Sequence, residues 1–180
     1  MTVQTTNSIA VRLIVVVALL TGSCRGREPE SVQRLNPDRA QMEEVNRYLV
    51  QKDRERIENY IERKQLKMTM TPSGLYYSIS ERGREPFFVT GDVVTFDYRC
   101  SLLDGTECYS SEESGQKRVV LGKSSIESGL DQGLRMLGRG GEALFIIPSF
   151  LAHGLLGDGQ RIPAMAVLVY EVKVKKELSN

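Results

Sequence analysis

The chain has 180 residues, of which 41% are hydrophobic and 26% are charged, so its composition is that of a globular protein and its length allows one domain with appendages. Its 24 basic residues nearly balance its 23 acidic ones, and a net charge of +1 argues against nucleic acid or an anionic membrane surface as a partner. One histidine and three cysteines, without a CxxC pair, are too few soft ligands for a structural zinc site, and we expect neither a metal nor a cofactor.

Residues 1–23 are predicted to form a targeting signal that is not part of the fold. Residues 13–20 are an apolar run that is too short to span a hydrocarbon core of about 30 Å and is typical of the central region of a signal peptide. Thr21-Gly22-Ser23 then precedes Cys24 directly, and this pattern resembles the lipobox that bacterial lipoprotein signal peptidase cuts. We expect cleavage before Cys24 and lipidation of Cys24, with simple secretion or a retained helix as the alternatives.

Residues 24–36 are polar and contain a proline, which suits a flexible tether. A helical region is predicted over 37–70, because Asn36 can cap a helix and Pro37 fits its first position. Apolar residues then recur mainly at three- and four-residue spacing, with a charged gap at 51–56. In the simpler interpretation this helix packs against its own domain, and in the alternative it forms a dimer contact.

The remaining residues, 71–180, are predicted to form one domain. The best periodicity in the chain is a period-two alternation at 94–102, which predicts a strand with one apolar face. Tyr98 lies on that face, and Tyr170 lies on the apolar face of a second alternating strand at 166–174. Both tyrosines are therefore expected to point inward.

Turn and cap residues place the other elements of this domain. Further strands are predicted at 75–79, 119–121 and 143–147, and Ser124 or Ser125 is expected to cap a short helix that runs to about Leu137. The glycine-rich segment 149–163 is a long loop, and loops of that length in small domains are usually functional. The pattern predicts an α+β fold in which an antiparallel sheet packs on one short helix and is preceded by a longer amino-terminal helix.

Two cysteines flank a predicted hairpin turn at Asp104-Gly105. Cys100 and Cys108 lie nearly opposite each other if the two arms pair, at a Cα separation of about 4.5 to 5.5 Å that is within disulfide range. An exported chain enters an oxidising compartment, which permits a bridge. Because Cys100 shares its strand face with Tyr98, a bridge would reshape that face, and two free thiols are the alternative.

A series of short motifs runs through the stretch from Gly91 to Val174. They are Gly91-Asp92-Val93-Val94, Leu103-Asp104-Gly105-Thr106, Val120-Leu121-Gly122-Lys123, Ile147-Pro148, Ala152-His153-Gly154, Ile162-Pro163 and Leu168-Val169-Tyr170-Glu171-Val172. Each is weak alone, but in this order and at these spacings they resemble the FKBP-type peptidyl-prolyl cis-trans isomerase domain. Upstream, the segment 71–77 looks like the entry strand of bacterial envelope members, which also carry an amino-terminal helical region. The resemblance implies an FKBP-like sheet wrapped on one short α-helix.

The same resemblance implies a proline-binding pocket. Tyr98, Val119, Ile126 and Tyr170 occupy positions that line it, and the backbone N–H of Ile126 occupies the position that donates to the substrate carbonyl. Leu130 corresponds to the pocket floor, where many members have tryptophan. On strand and helix pattern alone these residues would be assigned to the core, a role that is compatible with lining a pocket.

Four residues depart from the family pattern within this pocket. His153 replaces a tyrosine whose hydroxyl donates to the bound ligand, and an imidazole N–H is an alternative donor. Cys108 stands where a phenylalanine wall is usual, and Tyr109 stands where an aspartate commonly accepts from the tyrosine aligned with Tyr98. Glu127 replaces an apolar residue and is expected to be a solvated helix residue.

An isomerase of this kind needs neither a metal nor a nucleophile. Amide rotation has a barrier of about 18 to 20 kcal/mol, whereas the two Xaa-Pro isomers differ by only about 0.5 to 1 kcal/mol. A dry aromatic pocket disfavours the charge-separated resonance form of the amide, and placed hydrogen-bond donors favour the twisted state.

The resemblance implies an isomerase that acts on Xaa-Pro bonds of exported or envelope proteins. It would be lipid-anchored at a bacterial cell envelope, facing the periplasm, with proline-containing polypeptides as clients and no nucleic-acid partner. The substituted pocket residues keep a second hypothesis open, in which a domain of the same fold binds peptides without useful turnover. Such a domain would act as a chaperone or assembly factor, similar to the FKBP-like gliding-motility lipoproteins of some bacteria.

Overall fold

The computed structural model of the chain describes residues 39–123 and 125–176. The elements named below belong to one compact unit that begins at Arg39. The predicted signal segment, the tether and Cys24 lie outside the described residues.

The longest element is helix α1, Arg39–Lys64. Exposed ion pairs one turn apart support it, such as Arg54 with Glu58 at 2.8 Å, and basic residues occupy its last turn, where the helix dipole is negative. Gln65 follows with a φ of 54°, a left-handed conformation that ends the helix. Neither α1 nor any other helix of the described residues is both long and apolar enough to cross a membrane.

Seven strands form one antiparallel sheet in the order β1-β2-β6-β7-β3-β4, with β5 also paired to β3. The strands are β1 (Thr69–Met70), β2 (Tyr76–Glu81), β3 (Val93–Leu102), β4 (Glu107–Ser110), β5 (Lys117–Val120), β6 (Glu142–Ile147) and β7 (Leu168–Val174). Three short helical segments connect them, namely α2 (Ser111–Ser114), α3 (Ser128–Leu134) and a 3₁₀ turn (Ser149–Leu151). The predicted α+β fold with a longer amino-terminal helix is confirmed.

Strand β3 is central, because one of its edges pairs with β7 and the other is divided between β5 and β4. Between these two partners the backbone of Tyr98 bonds to a side chain instead of a strand. The hydroxyl of Ser111 accepts from the N–H of Tyr98 at 2.8 Å and donates to its carbonyl at 3.1 Å. The sheet therefore continues across the gap without leaving these buried backbone groups unsatisfied.

The two faces of the sheet carry separate apolar clusters, because successive strand residues point to opposite sides. On one face α3 covers the main core, and Phe145 of β6 and Leu130 of α3 are both fully buried there. On the other face the second half of α1 packs through Ile57, together with Ile146 of β6 and Val169 of β7. The simpler interpretation of α1, packing against its own domain, describes this half of the helix.

Two glycines let α3 lie directly on β6. A Cβ at Gly129 would stand 2.5 Å from a methyl group of Ile147, and a Cβ at Gly133 would stand 2.8 Å from the ring of Phe145. Both distances are too short for real contacts, so any larger residue would push the helix away from the sheet. Glycine is a poor helix former, and close packing explains its presence at both positions.

Helix α3 is shorter than the sequence indicates. Ser125 does not begin it, and Ser124 lies outside the described residues. Glu127 directly before the helix has an extended backbone, with φ −56° and ψ 134°, so the helix begins at Ser128. At the other end the chain turns more tightly, with the N–H of Leu137 bonded to the carbonyl of Leu134.

The proposed bridge between Cys100 and Cys108 is not formed, and both are free, buried thiols. The hairpin pairs Cys100 with Tyr109, and a bulge between Cys100 and Ser101 changes the register that symmetric arms would have. Burial raises the pKa of Cys100 to about 12 and also raises the pKa of Cys108. Both thiols therefore stay protonated and behave as small apolar residues.

Candidate active site

Two tyrosine rings on neighbouring strands form the centre of the candidate site. Tyr98 on β3 and Tyr170 on β7 are both buried, as strand periodicity predicts, and their ring centroids are 6.2 Å apart with planes tilted by 31°. Phe96 extends the aromatic wall with an edge-on contact to Tyr98 at 6.0 Å. Aromatic contacts of this geometry are favourable and hold the rings in place.

Most of the other predicted pocket residues adjoin the same apolar cluster. Val119, Leu130 and Cys108 are buried members of it, and Ile126 is half-buried and packs against it. Strand β5 supplies Val119, helix α3 supplies Leu130 and the β3–β4 hairpin supplies Cys108, whereas Ile126 lies in the segment before α3. The structure thus brings together residues that are more than seventy positions apart in sequence, from Tyr98 to Tyr170.

A buried carboxylate links the aromatic wall to the long loop, which corrects the expectation that Glu127 is solvated. Glu127 is only 7% exposed. One of its oxygens, Oε1, accepts from the hydroxyl of Tyr170 at 2.7 Å and lies 3.1 Å from Nε2 of His153. The extended backbone before α3 turns this side chain inward, and its hydrogen bonds compensate for the loss of water.

The protonation state of Tyr170 fixes the direction of one bond in this network. Burial, and then the negative charge of Glu127, raise the pKa of Tyr170, so its hydroxyl stays protonated and donates. Burial also raises the pKa of Tyr98. Both rings therefore present neutral walls to whatever occupies the site.

The long loop is held by Asp158. Its carboxylate accepts from the backbone N–H groups of Gln160 and Ile162, each at 2.8 Å, and from the hydroxyl of Tyr109. Partial desolvation opposes ionisation, but these hydrogen bonds lower the pKa of Asp158 to about 2. The bond to Asp158 in turn raises the pKa of Tyr109. Tyr109 thus joins the β3–β4 hairpin to the loop.

Two basic side chains lie close to residues of the candidate site. Arg161 bonds to the backbone carbonyl of Cys108 at 2.9 Å and forms a two-pronged ion pair with Glu113 at 2.5 and 2.6 Å. The amine of Lys117 lies 5.1 Å from the centre of the Tyr98 ring, within cation–π range. Arg161 thus ties the loop to β4 and α2, and Lys117 lies over the ring of Tyr98 from β5.

Two buried aromatic rings form a surface that is dry and apolar, which is the kind of surface that favours a flat apolar group. His153, with 32% of its side chain exposed, offers an imidazole beside Glu127 at the partly exposed side of this cluster. Sequence reasoning missed the structural roles of Glu127 and Asp158. Asp158 had a weak signal, since Asp158-Gly159 is a turn pair, whereas a single glutamate after Ile126 gave no periodic signal.

The other face of the sheet carries a separate groove of about 740 Å³. It lies between the end of α1, at Tyr60 and Lys64, and polar side chains of the sheet such as Ser78 and Arg99. Of the predicted site residues only Tyr98 borders it. This groove is therefore not centred on the cluster of Tyr170, Glu127 and His153.

Comparison with known proteins identifies a family. The sequence model described as FKBP-type peptidyl-prolyl cis-trans isomerase matches residues 85–175, which is just over half of the chain. A protein of Neisseria meningitidis serogroup B that carries the name "Probable FKBP-type peptidyl-prolyl cis-trans isomerase FkpA" is 40% identical over 106 residues. That match covers 59% of this chain and 39% of the relative, so the chain spans well under half the length of that protein.

Solved structures show the same fold. The crystal structure of FkpA from Escherichia coli superposes with a TM-score of 0.61 at 24% identity, covering 92% of this chain and 80% of that one. The crystal structure of AtFKBP13 gives a TM-score of 0.56 at 26% identity, covering 60% of this chain and 96% of that one. The first likeness includes most of the chain, whereas the second is confined to a shorter part of it.

Proposed function

Because the chain belongs to the FKBP-type peptidyl-prolyl cis-trans isomerase family, we propose that it catalyses rotation about Xaa-Pro bonds in polypeptides. The observation that carries this proposal is the pair of buried rings of Tyr98 and Tyr170, 6.2 Å apart, beside the partly exposed imidazole of His153. A proline ring placed against such a wall loses contact with water. The amide that precedes it then loses the solvation that stabilises its planar, charge-separated form.

Hydrogen-bond donors are the second requirement of this reaction. The backbone N–H of Ile126 has no hydrogen-bond partner among the described residues, which leaves it available to a substrate carbonyl. His153 supplies a further candidate donor, since only its Nε2 faces Glu127. Donors aimed at the twisted amide lower the barrier more than they stabilise the planar ground state.

We place the proposed activity at a bacterial envelope. The apolar run at 13–20 and the small residues before Cys24 support export followed by lipid attachment. Bacterial relatives of the same family support that setting. The clients would then be proline-containing segments of exported or envelope proteins, on the periplasmic side.

The polar network in the pocket favours a second candidate function, peptide binding without useful turnover. Glu127 and the hydroxyl of Tyr170 place polar atoms in a wall that needs to be dry, and Tyr109 bonds to the loop instead of to Tyr98. Such a domain would bind unfolded clients as a chaperone or assembly factor.

A protease-coupled isomerisation assay on the full chain, run across Xaa-Pro peptides that differ in Xaa, tests the proposal. We expect turnover by the wild type and a lower kcat/KM for Tyr170→Ala, because the change removes a wall and admits water. Each tenfold loss corresponds to about 1.4 kcal/mol of transition-state stabilisation. Tyr170→Phe is the matched control, since it keeps the ring and deletes only the hydroxyl, which bonds to Glu127 and also interacts with Cys100. His153→Phe is also expected to lose less than Tyr170→Ala.

Thermal melts must accompany the assay, because truncating a buried aromatic can cost about 3 to 5 kcal/mol of stability. A folded Tyr170→Ala protein with undiminished catalysis would refute the pocket. Wild-type protein that binds unfolded polypeptide but turns over no Xaa-Pro peptide would favour the second candidate function.

A further inference from the structure

Helix α1 contacts the candidate site through a buried carboxylate. Asp53 and Ile57 are the buried residues of this helix, and Asp53 is only 2% exposed. Its Oδ2 accepts from the backbone N–H of Ser149 at 2.9 Å and from the hydroxyl of Ser149 at 2.6 Å. Ser149 is itself buried, so both bonds are shielded from solvent.

Ser149 stands at the entrance of the loop that carries His153. It begins the 3₁₀ turn after β6, and its carbonyl accepts from the N–H of Gly154 at 2.8 Å. The carbonyl of Gly154 accepts from the N–H of Met165 at 2.8 Å. These two bonds form the neck of the loop, with its entrance at Ser149 and its exit at Met165.

Helix α1 also holds the exit of the loop. Arg56 donates to the carbonyl of Met165 at 3.3 Å and lies 3.5 Å from Asp53, one turn earlier. The contacts close a ring that runs from Asp53 through Ser149, Gly154, Met165 and Arg56 back to Asp53. One turn of α1 therefore fixes both ends of the loop.

We propose that α1 is a positioning element of the candidate site, and that Asp53 sets the placement of His153 by holding the neck of its loop. The expected change in KM rests on the proposed isomerase function, whereas the effect of Asp53 on the position of His153 does not. Removing the Asp53 carboxylate would leave two buried donors of Ser149 without partners. The loop would then sample other arrangements, and substrate binding would have to order it.

The free-energy cost of ordering the loop is the same for the bound substrate and for the bound transition state. Loss of Asp53 should therefore raise KM while leaving kcat nearly unchanged. A residue that contacts the reacting amide would lower kcat instead. A residue that only stabilises the fold would change neither value at a temperature where the variant is folded.

The chain offers a direct reporter, because His153 is its one histidine. The experiment compares full-chain wild type, Asp53→Ala and Arg54→Ala by NMR of the imidazole and by hydrogen exchange of segment 149–165. Arg54→Ala is the matched control, since Arg54 is the exposed neighbour of Asp53, and its ion pair is with Glu58 one turn later and not with the loop. We expect Asp53→Ala to shift the imidazole signals and to speed loop exchange about tenfold, with no change in the sheet.

Kinetics on the same proteins adds the second readout. We expect Asp53→Ala to raise KM about five- to tenfold with kcat within about twofold of wild type, and Arg54→Ala to match wild type. Asp53→Asn keeps one acceptor for Ser149. Its KM and its imidazole signals should therefore lie close to those of the wild type. If Asp53→Ala does not fold, Ser149→Ala removes the hydroxyl bond alone and should show a smaller change of the same kind.

Each outcome decides the matter. Altered loop exchange and altered His153 signals in a folded variant support the positioning role of Asp53. If no protein in the series turns over peptide, wild type included, that result rejects the proposed isomerase function but not the positioning role. A folded Asp53→Ala or Ser149→Ala protein with the imidazole signals and loop exchange of Arg54→Ala overturns the inference. Exchange that rises equally in loop and sheet also overturns it, since Asp53 would then act on overall stability.

Discussion

Asp158 illustrates how a single side chain can organise a loop. The charged form accepts three hydrogen bonds, from Tyr109, Gln160 and Ile162, whereas a protonated carboxyl would have to donate at one of those positions. The loop is therefore linked to the ionisation of this residue.

We expect the stabilising effect of Asp158 to depend on pH. Its folded-state pKa of about 2 is below the unfolded value of about 3.9, so its contribution is complete above about pH 5 and is lost as the pH falls toward 2. Melting temperatures of wild type and Asp158→Asn, measured from pH 6 to pH 2, should therefore converge at the acid end. Tyr109→Phe, which removes one of the three donors, should lie between them. A difference that stays constant to pH 2 would contradict the role assigned to Asp158.

Residue burial was predictable only where it follows a period. Tyr98 and Tyr170 lie inward because every second residue of β3 and β7 does, and that pattern is visible in sequence. Glu127 and Asp53 are buried because of partners 43 and 96 positions away, Tyr170 and Ser149. Such long-range pairs produce no local sequence pattern. The contact between α1 and the loop was therefore not predicted, because the residues 51–56 that make it are mostly charged.

At the scale of elements, α1 and the strands β2, β3, β5, β6 and β7 were predicted within a few residues, whereas β1 and the hairpin register were not. Period and turn residues specify that β3 and β4 pair, but the bulge after Cys100 depends on how the arms twist against their neighbours. One inserted residue is enough to place Tyr109 opposite Cys100. The same limit applies to α3, whose first turn depends on Glu127 facing inward.

The close contact of α3 with β6 makes Gly133 sensitive to a single methyl group. Alanine is the better helix former by about 1 kcal/mol, but its Cβ would stand 2.8 Å from the Phe145 ring. We expect Gly133→Ala to lower the free energy of unfolding by about 1 to 3 kcal/mol, as overpacking does. Urea denaturation measures this change.

Asn46→Ala, on the exposed face of α1, is the control for helix propensity and should leave stability equal or slightly higher. If Gly133→Ala were as stable as wild type, α3 would have to lie farther from β6 than the structure has it.

At the scale of the whole molecule, we expect Cys24 to attach the chain to a membrane. Cys24→Ala should move the protein from the membrane fraction to the soluble fraction and abolish incorporation of labelled lipid. Ser23→Ala, which keeps a small residue before the cysteine, should leave both unchanged. Membrane retention and lipid labelling of Cys24→Ala equal to wild type would exclude lipidation at this residue.

The first half of α1 is almost entirely exposed to solvent. Between Arg39 and Asp53 every residue is exposed except the half-buried Leu49, so this part of the helix extends beyond the contact with the loop. Fourteen steps along a helix correspond to about 21 Å. The first half of the helix thus extends beyond the neck of the loop by this length.

The length of this exposed part of the helix can be compared with that of a polypeptide client of the proposed isomerase. About 21 Å is the length of roughly six residues of extended polypeptide, at about 3.3 to 3.6 Å each. In the proposed function, a client engaged at the loop would lie next to a helix that extends by this length beyond its contact with the loop. Shortening α1 by whole turns before Asp53 would reduce this length in steps of about 5.4 Å and would leave the contacts of Asp53 with the loop in place.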